Sequence, residues 1–247
     1  MVDGGIDFIK DDELQADGPH CPFAERVAAV MRVIRDHAGR TGKLVMFAFN
    51  VTGEIDQMWR RHDLVEQAGG TCIMVSLNSV GLPGVVHLRK HSRLPIHAHR
   101  NGWGLFSRSP HIGIGYLAYQ KFWRLAGADH MHVNGLRNKF CEGDESVLAS
   151  ARECLTPMFS GVNRGCEVMP VFSSGQTVRQ VHDTWAGLGT ADLIYAAGGG
   201  LMAHPAGAAA GVRAMRQAWD AAMKGVSLEA AAAKNSELRQ ALEKYSG

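Results

Sequence analysis

The stretch GGIDFIKDDE, residues 4–13, decides the fold class. Its apolar residues predict a short buried strand, and Lys10 together with the acidic residues after it forms the polar end of that strand. Active sites of parallel α/β proteins lie at the carboxyl ends of the strands. Asp12 and Glu13 offer hard carboxylate oxygens of the kind that Mg²⁺ binds. The same residues also fit a surface charge cluster that only caps a strand, and the stretch by itself leaves both interpretations open.

The rest of the chain alternates short apolar runs with amphipathic helices. Predicted strands cover Asp7–Lys10, Leu44–Asn50, Cys72–Ser76, Pro95–His99, His130–Val133, Glu167–Ser173 and Leu193–Ala196. Predicted helices cover Pro22–His37, Ile55–Ala68, Gly81–His91, Gly113–Ala126, Glu145–Phe159, Val178–Leu188 and Ala206–Lys224, with a further terminal helix from Glu229 onward. This alternation implies a parallel sheet, because right-handed crossovers need the helices. The seven βα units predict an α/β fold, a TIM (β/α)₈ barrel one unit short of complete.

Composition is that of an ordinary globular protein. The 247 residues are 46% hydrophobic, which suits a single barrel domain over residues 1–247. A net charge of +2 gives no electrostatic case for nucleic acid or a membrane surface as partner. The five cysteines lack Cys-x-x-Cys spacing and are expected to be reduced thiols in a cytoplasmic protein. The sequence shows no signal peptide and no apolar run long enough to span a bilayer.

Two His-x-His pairs follow at strand ends. His97 and His99 share one face of their strand because strand side chains alternate, and residues 130–132 repeat the pattern. Histidines whose hydrogen bonds are satisfied within the structure would give the same pattern. A zinc amidohydrolase is a further alternative, but in that class the His-x-His pair precedes the lysine, whereas both pairs here follow Lys10.

Two glycine-containing segments suggest a phosphate site. Ser173-Ser174-Gly175 follows the sixth predicted strand and residues 198–200, Gly-Gly-Gly, follow the seventh. Glycines let backbone N–H groups approach a phosphate, and the loops after the last two strands of a TIM barrel commonly bind one. Their spacing of one βα unit makes the pair more specific than either segment alone.

Residues 4–13 resemble the Gly-x-Asp-Phe-x-Lys-x-Asp-Glu signature of the ribulose-bisphosphate carboxylase (RuBisCO) large-chain superfamily. Residues 96–100 (IHAHR), 129–140 (DHMHVNGLRNKF) and the two glycine-containing segments resemble later family motifs in the same order. The resemblance implies that CO₂ converts Lys10 to a carbamate. That carbamate would bind Mg²⁺ together with Asp12 and Glu13 and would also act as a base.

The resemblance also assigns roles to the later motifs. His99 would lie near the substrate oxygens, Arg100 would bind a phosphate, and His132 would contribute to the cationic cradle around the substrate. Lys139 would close over a carboxylate that is being attached or lost. The remaining phosphate ligands would come from the glycine-containing segments, at Ser173, Gly175, Gly198 and Gly199.

Two departures from the carboxylase pattern point to a RuBisCO-like protein (form IV). The loop lysine lies in Asn-Lys-Phe rather than Gly-Lys-Leu, and Ser174 replaces the first glycine of Ser-Gly-Gly. The resemblance then implies Mg²⁺-dependent enediolate chemistry on a phosphorylated small molecule, foremost decarboxylation of a 3-oxo sugar-acid phosphate such as 3-oxo-isoapionate 4-phosphate. Alternatives are a methionine-salvage enolase or isomerase, a true carboxylase, and an inactive truncated barrel.

In this family the lysine signature lies on the second barrel strand. We therefore expect the chain to contain strands 2 to 8, without the family's N-terminal domain and first strand. Family active sites lie between subunits, so the resemblance also implies a homodimer or a larger homo-oligomer.

Overall fold

A computed structural model of the protein describes residues 1–109, 111–140, 142–161 and 165–245. It contains seven strands in the order β1-β2-β3-β4-β5-β6-β7, and every pair whose register is described is parallel. They are β1 Phe8–Lys10, β2 Met46–Asn50, β3 Cys72–Ser76, β4 Ile96–His99, β5 His130–His132, β6 Met169–Phe172 and β7 Ile194–Tyr195. Helices alternate with these strands, so the predicted α/β fold of the TIM-barrel type is confirmed.

The chain divides into two compact units. The first comprises Asp7–His132 and Cys154–Met169, and the second comprises Met1–Ile6, Val133–Glu153 and Pro170–Gly247. The first unit contains the helices α1 Phe23–Thr41, α2 Ile55–Gln67, α3 Leu77–His91, α4 Gly104–Ser107 and α5 Tyr116–Ala126. The helix α6, Asp144–Leu155, begins in the second unit, which also contains α7 Val181–Leu188, α8 Gly198–Met202, α9 Ala208–Met223, α10 Leu228–Lys234 and α11 Ser236–Lys244.

The first unit is organised by apolar side chains at helical and strand spacing. Val27, Met31 and Ile34 are at most 2% exposed and form the buried stripe of α1. All five residues of β3 are buried. Full burial of one such aliphatic side chain contributes roughly 1.5–3 kcal/mol. The polar ends of the strands are therefore attached to a well-packed scaffold.

The second unit has its own apolar core. Val178, Val181, Leu201, Met215 and Leu238 are all buried in one cluster that joins α7, α8, α9 and α11. The predicted terminal helix from Glu229 is divided into α10 and α11, because the backbone of Asn235 leaves the helical region with φ −127° and ψ 108°.

Three helices begin where the sequence does not predict a helix start. The helix α3 begins at Leu77 rather than Gly81, and Gly81, with a φ of 74°, kinks it. The glycines after β7 open the short helix α8 and are not a loop. The predicted helix from Gly113 begins at Tyr116. In each case glycine marks a bend or a helix end that local propensity cannot locate to the residue.

Four of the five cysteines, Cys21, Cys72, Cys154 and Cys166, are free thiols, as predicted. Cys141 lies outside the described residues. Among the residues that the structure describes, no helix is long and apolar enough to cross a membrane.

Candidate active site

The end of β1 brings Lys10 and Glu13 together. The Lys10 Nζ lies 3.1 Å from the Glu13 Oε2 and donates a second hydrogen bond of 2.9 Å to the Asp11 carbonyl oxygen. The Asp12 side chain lies in the same turn, where its Oδ1 accepts a 2.8 Å hydrogen bond from the Leu14 N–H. One Asp12 oxygen therefore caps its own turn.

Asn50, at the end of β2, fixes the turn that carries the two acidic residues. Its Nδ2 donates to the carbonyl oxygens of Asp12 and Glu13, each at 3.1 Å. Its Oδ1 accepts from the Thr52 Oγ1 at 2.6 Å and from the Thr52 N–H at 3.1 Å. The asparagine is fully buried, and its two bonds to backbone carbonyl oxygens fix the main chain that carries Asp12 and Glu13.

Asp11 and Arg26 also hold this segment, and neither residue was identified from the sequence. The Asp11 Oδ2 lies 3.1 Å from the Arg26 Nε and accepts a 2.9 Å hydrogen bond from the Asn50 N–H. Arg26 also donates to three carbonyl oxygens of residues 15–21. Burial raises the pKa of Asp11, while the Asn50 N–H and the Arg26 guanidinium act in the opposite direction.

His99 faces the carboxylate of this turn. Its Nε2 lies 3.5 Å from the Glu13 Oε2, and its ring lies edge-on to the His132 ring, with 4.3 Å between the centroids. Burial, followed by the charge of Lys10, lowers the pKa of His99 to about 4. The imidazole is therefore neutral near pH 7, when it can both donate and accept a hydrogen bond.

A chain of buried histidines continues from His132. The His97 Nε2 lies 2.8 Å from the His132 Nε2, and the His97 Nδ1 lies 3.3 Å from the His130 Nδ1. Burial lowers the pKa of His97 and His132 well below the usual value, so both rings are neutral. A hydrogen bond in each N···N contact requires one proton, so the tautomers of the three neutral rings are linked. His97 fits the alternative of an internally satisfied histidine.

Arg100 is buried against aromatic rings. It is 6% exposed, and its guanidinium carbon lies 4.5 Å from the Tyr116 ring centroid and 6.0 Å from that of Trp103. A guanidinium stacked on aromatic faces keeps its charge and its planar fork of donors in one orientation, which suits recognition of a phosphate.

The loop that carries Lys139, residues 134–140, is the lysine loop and lies in the second unit. It is hydrogen-bonded to residues 173–175, the Ser-Ser-Gly segment. Lys139 is exposed, and its backbone N–H donates to the Ser174 carbonyl oxygen at 3.3 Å. The Ser173 N–H donates to the Asn134 carbonyl oxygen at 3.0 Å, and the Ser174 Oγ donates to the Asn134 Oδ1 at 2.9 Å. Ser174 and Asn134 have φ values of 70° and 71°, which are rarely adopted by residues other than glycine.

The glycines of the second unit have distinct roles. Gly175 has a φ of 87°, and its neighbour across the loop is Lys139. Gly198 and Gly199 form the first turn of α8, where a side chain at Gly199 would meet no atom within 4 Å. Gly200 is the residue that sterically must be glycine, because a Cβ there would lie 2.4 Å from the Gln176 carbonyl oxygen. The two glycines before it, Gly198 and Gly199, were instead the ones selected from the sequence.

The predicted residues thus form two groups, one in each unit. The group in the first unit consists of Lys10, Asp12, Glu13, His99, Arg100 and His132, and that in the second consists of Lys139, Ser173, Gly175, Gly198 and Gly199.

The donor set at the end of β1 fits Mg²⁺ if Lys10 carries a carbamate. As an ammonium, Lys10 offers no ligand atom and pairs with Glu13 at 3.1 Å. A carbamate on the same nitrogen would bring a second anionic oxygen group beside the Glu13 carboxylate. A divalent cation would offset this repulsion, and oxygen is the ligand that Mg²⁺ prefers.

Comparison with known proteins places this geometry in a family. The family model for the ribulose bisphosphate carboxylase large chain, catalytic domain, matches residues 1–245. The chain belongs to the RuBisCO large-chain family. The family match therefore favours the RuBisCO interpretation of the two His-x-His pairs over the amidohydrolase alternative.

Similar relatives and structures refine the assignment. A 3-oxo-isoapionate-4-phosphate transcarboxylase/hydrolase from Xanthobacter autotrophicus is 58% identical over 98% of this chain and 58% of its own length. A 3-oxo-isoapionate-4-phosphate decarboxylase from Rhizobium etli is 46% identical over 100% of this chain and 59% of its own length. The crystal structure of a RuBisCO-like protein from Burkholderia fungorum matches with a TM-score of 0.93 and 47% identity, over 98% of this chain and 59% of that one.

A true carboxylase is more distant. The octameric RuBisCO of Pyrococcus horikoshii has a TM-score of 0.90 and 32% identity, over 99% of this chain and 57% of that chain. Within the RuBisCO family the chain is therefore a RuBisCO-like protein rather than a true carboxylase. It spans 58% and 59% of the lengths of the two curated relatives named above.

Proposed function

We propose that the protein containing this chain decarboxylates a phosphorylated 3-oxo sugar acid of the 3-oxo-isoapionate 4-phosphate type in a Mg²⁺-dependent reaction. The observation that carries the proposal is the arrangement of Lys10, Glu13 and His99 at the ends of β1 and β4. Two further arguments support it. Relatives that cover nearly the whole chain are named as enzymes acting on this compound, and the loop lysine Lys139 is present.

Lys10 as a carbamate, with Asp12 and Glu13, would hold Mg²⁺, whose chemistry would be to polarise the substrate ketone. A 3-oxo acid loses CO₂ when the C–C bond to its carboxylate breaks and the bonding electrons move toward the ketone, forming an enolate, which is an enediolate when the carbon that carried the carboxylate also bears an oxygen. The neutral His99 imidazole would donate a hydrogen bond to the oxygen on which this charge develops. A proton from solvent or a nearby general acid then completes the product at carbon.

The cationic groups of the chain would orient the substrate. Arg100 offers a fixed guanidinium for an anionic end of the substrate. Lys139, on its exposed loop, would neutralise the carboxylate until it leaves as CO₂. In the second unit, the Ser173 to Gly175 segment and the first turn of α8 would supply polar hydrogens for a phosphate.

Transcarboxylation followed by hydrolysis is the second candidate reaction, because the relative from Xanthobacter autotrophicus carries that name. It shares the first C–C cleavage but passes the carboxyl group to another atom of the compound instead of releasing it as CO₂, and water then cleaves the carboxylated compound. We further propose a homodimeric or larger assembly, since structures in this family include the octameric enzyme of Pyrococcus horikoshii and a dimeric enzyme from Hyperthermus butylicus.

Two measurements test the proposal. Calorimetric Mg²⁺ titrations of the chain with and without bicarbonate should show binding that depends on bicarbonate and is lost in Lys10→Ala. With 3-oxo-isoapionate 4-phosphate, CO₂ release should fall by at least about tenfold in Lys139→Met, the loss expected when a charge that acts at the reacting carboxylate is removed. Lys224→Met, on the exposed surface of the same unit, is the matched control.

A detectable carboxylated intermediate would favour transcarboxylation over direct decarboxylation. Mg²⁺ binding that ignores both bicarbonate and Lys10 would contradict the carbamate mechanism. Unchanged turnover in Lys139→Met would remove the role proposed for the loop lysine.

A further inference from the structure

A second cluster of metal-ligating side chains lies on α2 and α3, which carry none of the residues proposed for catalysis. The Asp63 Oδ1 lies 2.9 Å from the His62 Nδ1 and 2.6 Å from the His91 Nε2. Within the part of the chain that the structure describes, this is the one group of three such residues whose ligand atoms lie within 4.8 Å of one another. It therefore joins two adjacent helices at a single carboxylate oxygen.

The two imidazoles are positioned by packing. The His62 side chain is 1% exposed and its ring lies edge-on to His91, with 5.0 Å between the centroids. The indole of Trp59 stacks on His91 at 4.6 Å and on His87 at 4.5 Å, with interplanar angles of 11° and 6°. A site whose ligands are held by their surroundings loses little conformational entropy when a cation binds.

Burial and charge both favour a cation here. The Nδ1 of the buried His62 ring faces Asp63, whereas its Nε2 has no hydrogen-bond partner among the described residues, so Nδ1 is the nitrogen that a cation would meet. The Asp63 side chain is 46% exposed and the His91 side chain is 28% exposed, which leaves the cluster open to solvent on one side. The Asp63 carboxylate supplies a negatively charged ligand group between the two rings, with one oxygen within 2.9 Å of a nitrogen of each ring.

We propose that His62, Asp63 and His91 form a binding site for a borderline divalent cation of the Zn²⁺ type. Two imidazole nitrogens and one carboxylate oxygen are a common three-ligand set for this ion, with water in the fourth position. Tetrahedral ligands at the usual zinc distances lie about 3.3 Å apart. The observed separations of 2.6 and 2.9 Å must therefore widen by about 0.7 and 0.4 Å, within reach of side-chain rotation at the partly exposed Asp63 and His91.

Such a site would act as a clamp between α2 and α3. It would stabilise the folded chain by binding the folded state alone, since the ligands come together only when the two helices pack. The imidazoles make it selective for zinc-type ions over Mg²⁺, which prefers oxygen ligands. The proposal is independent of the reaction at the ends of the strands.

The test is ZnCl₂ titration of the purified chain by competition with a chromophoric chelator, beside His91→Ala and the matched control His87→Ala. Both variants remove a ring that stacks on Trp59, but only His91 is a ligand. Glu13→Gln is included to identify zinc that binds at the end of β1. Removal of an outer-shell partner weakens a metal site by about 10–100-fold, so loss of the ligand in His91→Ala should weaken binding by at least that much.

His87→Ala and Glu13→Gln should retain the site. A second readout is the tryptophan fluorescence, which should change on addition of Zn²⁺ in the wild type and lose that change in Trp59→Phe. Far-UV circular dichroism checks that each variant is folded, and Asp63→Asn provides a second ligand variant with an almost unchanged shape. Equal zinc affinity in the wild type, His91→Ala and Asp63→Asn would overturn the proposal, as would the absence of zinc binding in the folded wild type. Either result would leave a hydrogen-bonded His–Asp–His network only.

Discussion

Replacement of Arg26 by alanine tests how the segment that carries the proposed metal ligands is held in place. The guanidinium makes four hydrogen bonds to oxygen atoms, one to the Asp11 carboxylate and three to backbone carbonyls between Gln15 and Cys21. The side chains of Arg26 and Asp11 are only 8% and 6% exposed. The variant would leave a buried carboxylate without its cation and the three carbonyls without their donor.

Two estimates of the unfolding free energy lost in Arg26→Ala agree. Four hydrogen bonds at about 1 kcal/mol each give about 4 kcal/mol. Removal of one partner from a buried ion pair costs about 3–5 kcal/mol. Both figures describe the same loss and are not added, so we expect the free energy of unfolding to fall by about 4 kcal/mol. That is a large part of the roughly 5–15 kcal/mol available to a folded protein.

Urea unfolding monitored by circular dichroism measures this loss, and hydrogen exchange of the Asn50 amide, which donates to Asp11, reports the local effect. Arg32→Ala, on the exposed side of the same helix, is the control and should change the free energy by less than about 0.5 kcal/mol. The double variant Arg26→Ala/Asp11→Asn should recover part of the loss, because it removes the uncompensated charge. A cost below about 1 kcal/mol for Arg26→Ala would refute the reasoning.

Asp11 should also make the free energy of unfolding depend on pH, in the wild type and more strongly in Arg26→Ala. Burial raises the pKa of Asp11 in the folded chain above its usual value of 3.8, so the folded state binds the proton more tightly than the unfolded state. Stability therefore falls as the pH rises from that value through the raised pKa. Arg26 lowers the pKa of Asp11. Arg26→Ala should therefore raise that pKa further and make the fall of the unfolding free energy with rising pH steeper.

Three further predictions concern the candidate site. Lys10→Met should raise the pKa of His99 above about 4, because the Lys10 charge is the second-largest cause of its lowering; NMR titration measures this. Ser174→Ala should lower the free energy of unfolding by about 1 kcal/mol through the lost Oγ hydrogen bond, whereas Ser174→Gly should be nearly neutral because relief of the left-handed backbone offsets that loss. His97→Leu should cost at least about 2 kcal/mol in urea unfolding, because two neighbouring ring nitrogens lose their buried partner.

Each prediction has a contradicting result. A His99 resonance, assigned by comparison with His99→Asn, that titrates unchanged in Lys10→Met would show that the lysine charge does not reach the ring. Equal destabilisation by alanine and glycine at position 174 would show that its backbone is not strained. A stable His97→Leu chain would show that the histidine contacts contribute little to folding.

Sequence reasoning captured the features that local pattern determines. Apolar runs of strand length placed all seven strands, and the Cys72–Ser76 strand, all of whose residues are buried, was placed to the residue. Features that depend on contacts distant in sequence could not be predicted in the same way. Arg26 looks like any surface arginine on a helix until the fold places it 3.1 Å from Asp11.

Asn50 shows the same limit at the site. In the sequence it is only the last residue of a predicted strand, and the fold shows that it bonds to Thr52 and to the turn of residues 12–13 at once. The spacing of Gly-Gly-Gly gave no means of ranking its three members, because the constraint on Gly200 comes from the backbone of Gln176.

The hydrogen bonds between the lysine loop and the Ser-Ser-Gly segment have an energetic consequence. Asn134 and Lys139 both lie in that loop, and each is bonded to the segment at Ser173 or Ser174. A rearrangement of either segment must therefore break or remake bonds held by the other. Thermodynamic reciprocity then requires that an anion which favours one arrangement of the serines shifts the conformational equilibrium of the lysine loop, and that closure of the loop changes the anion affinity by the same factor.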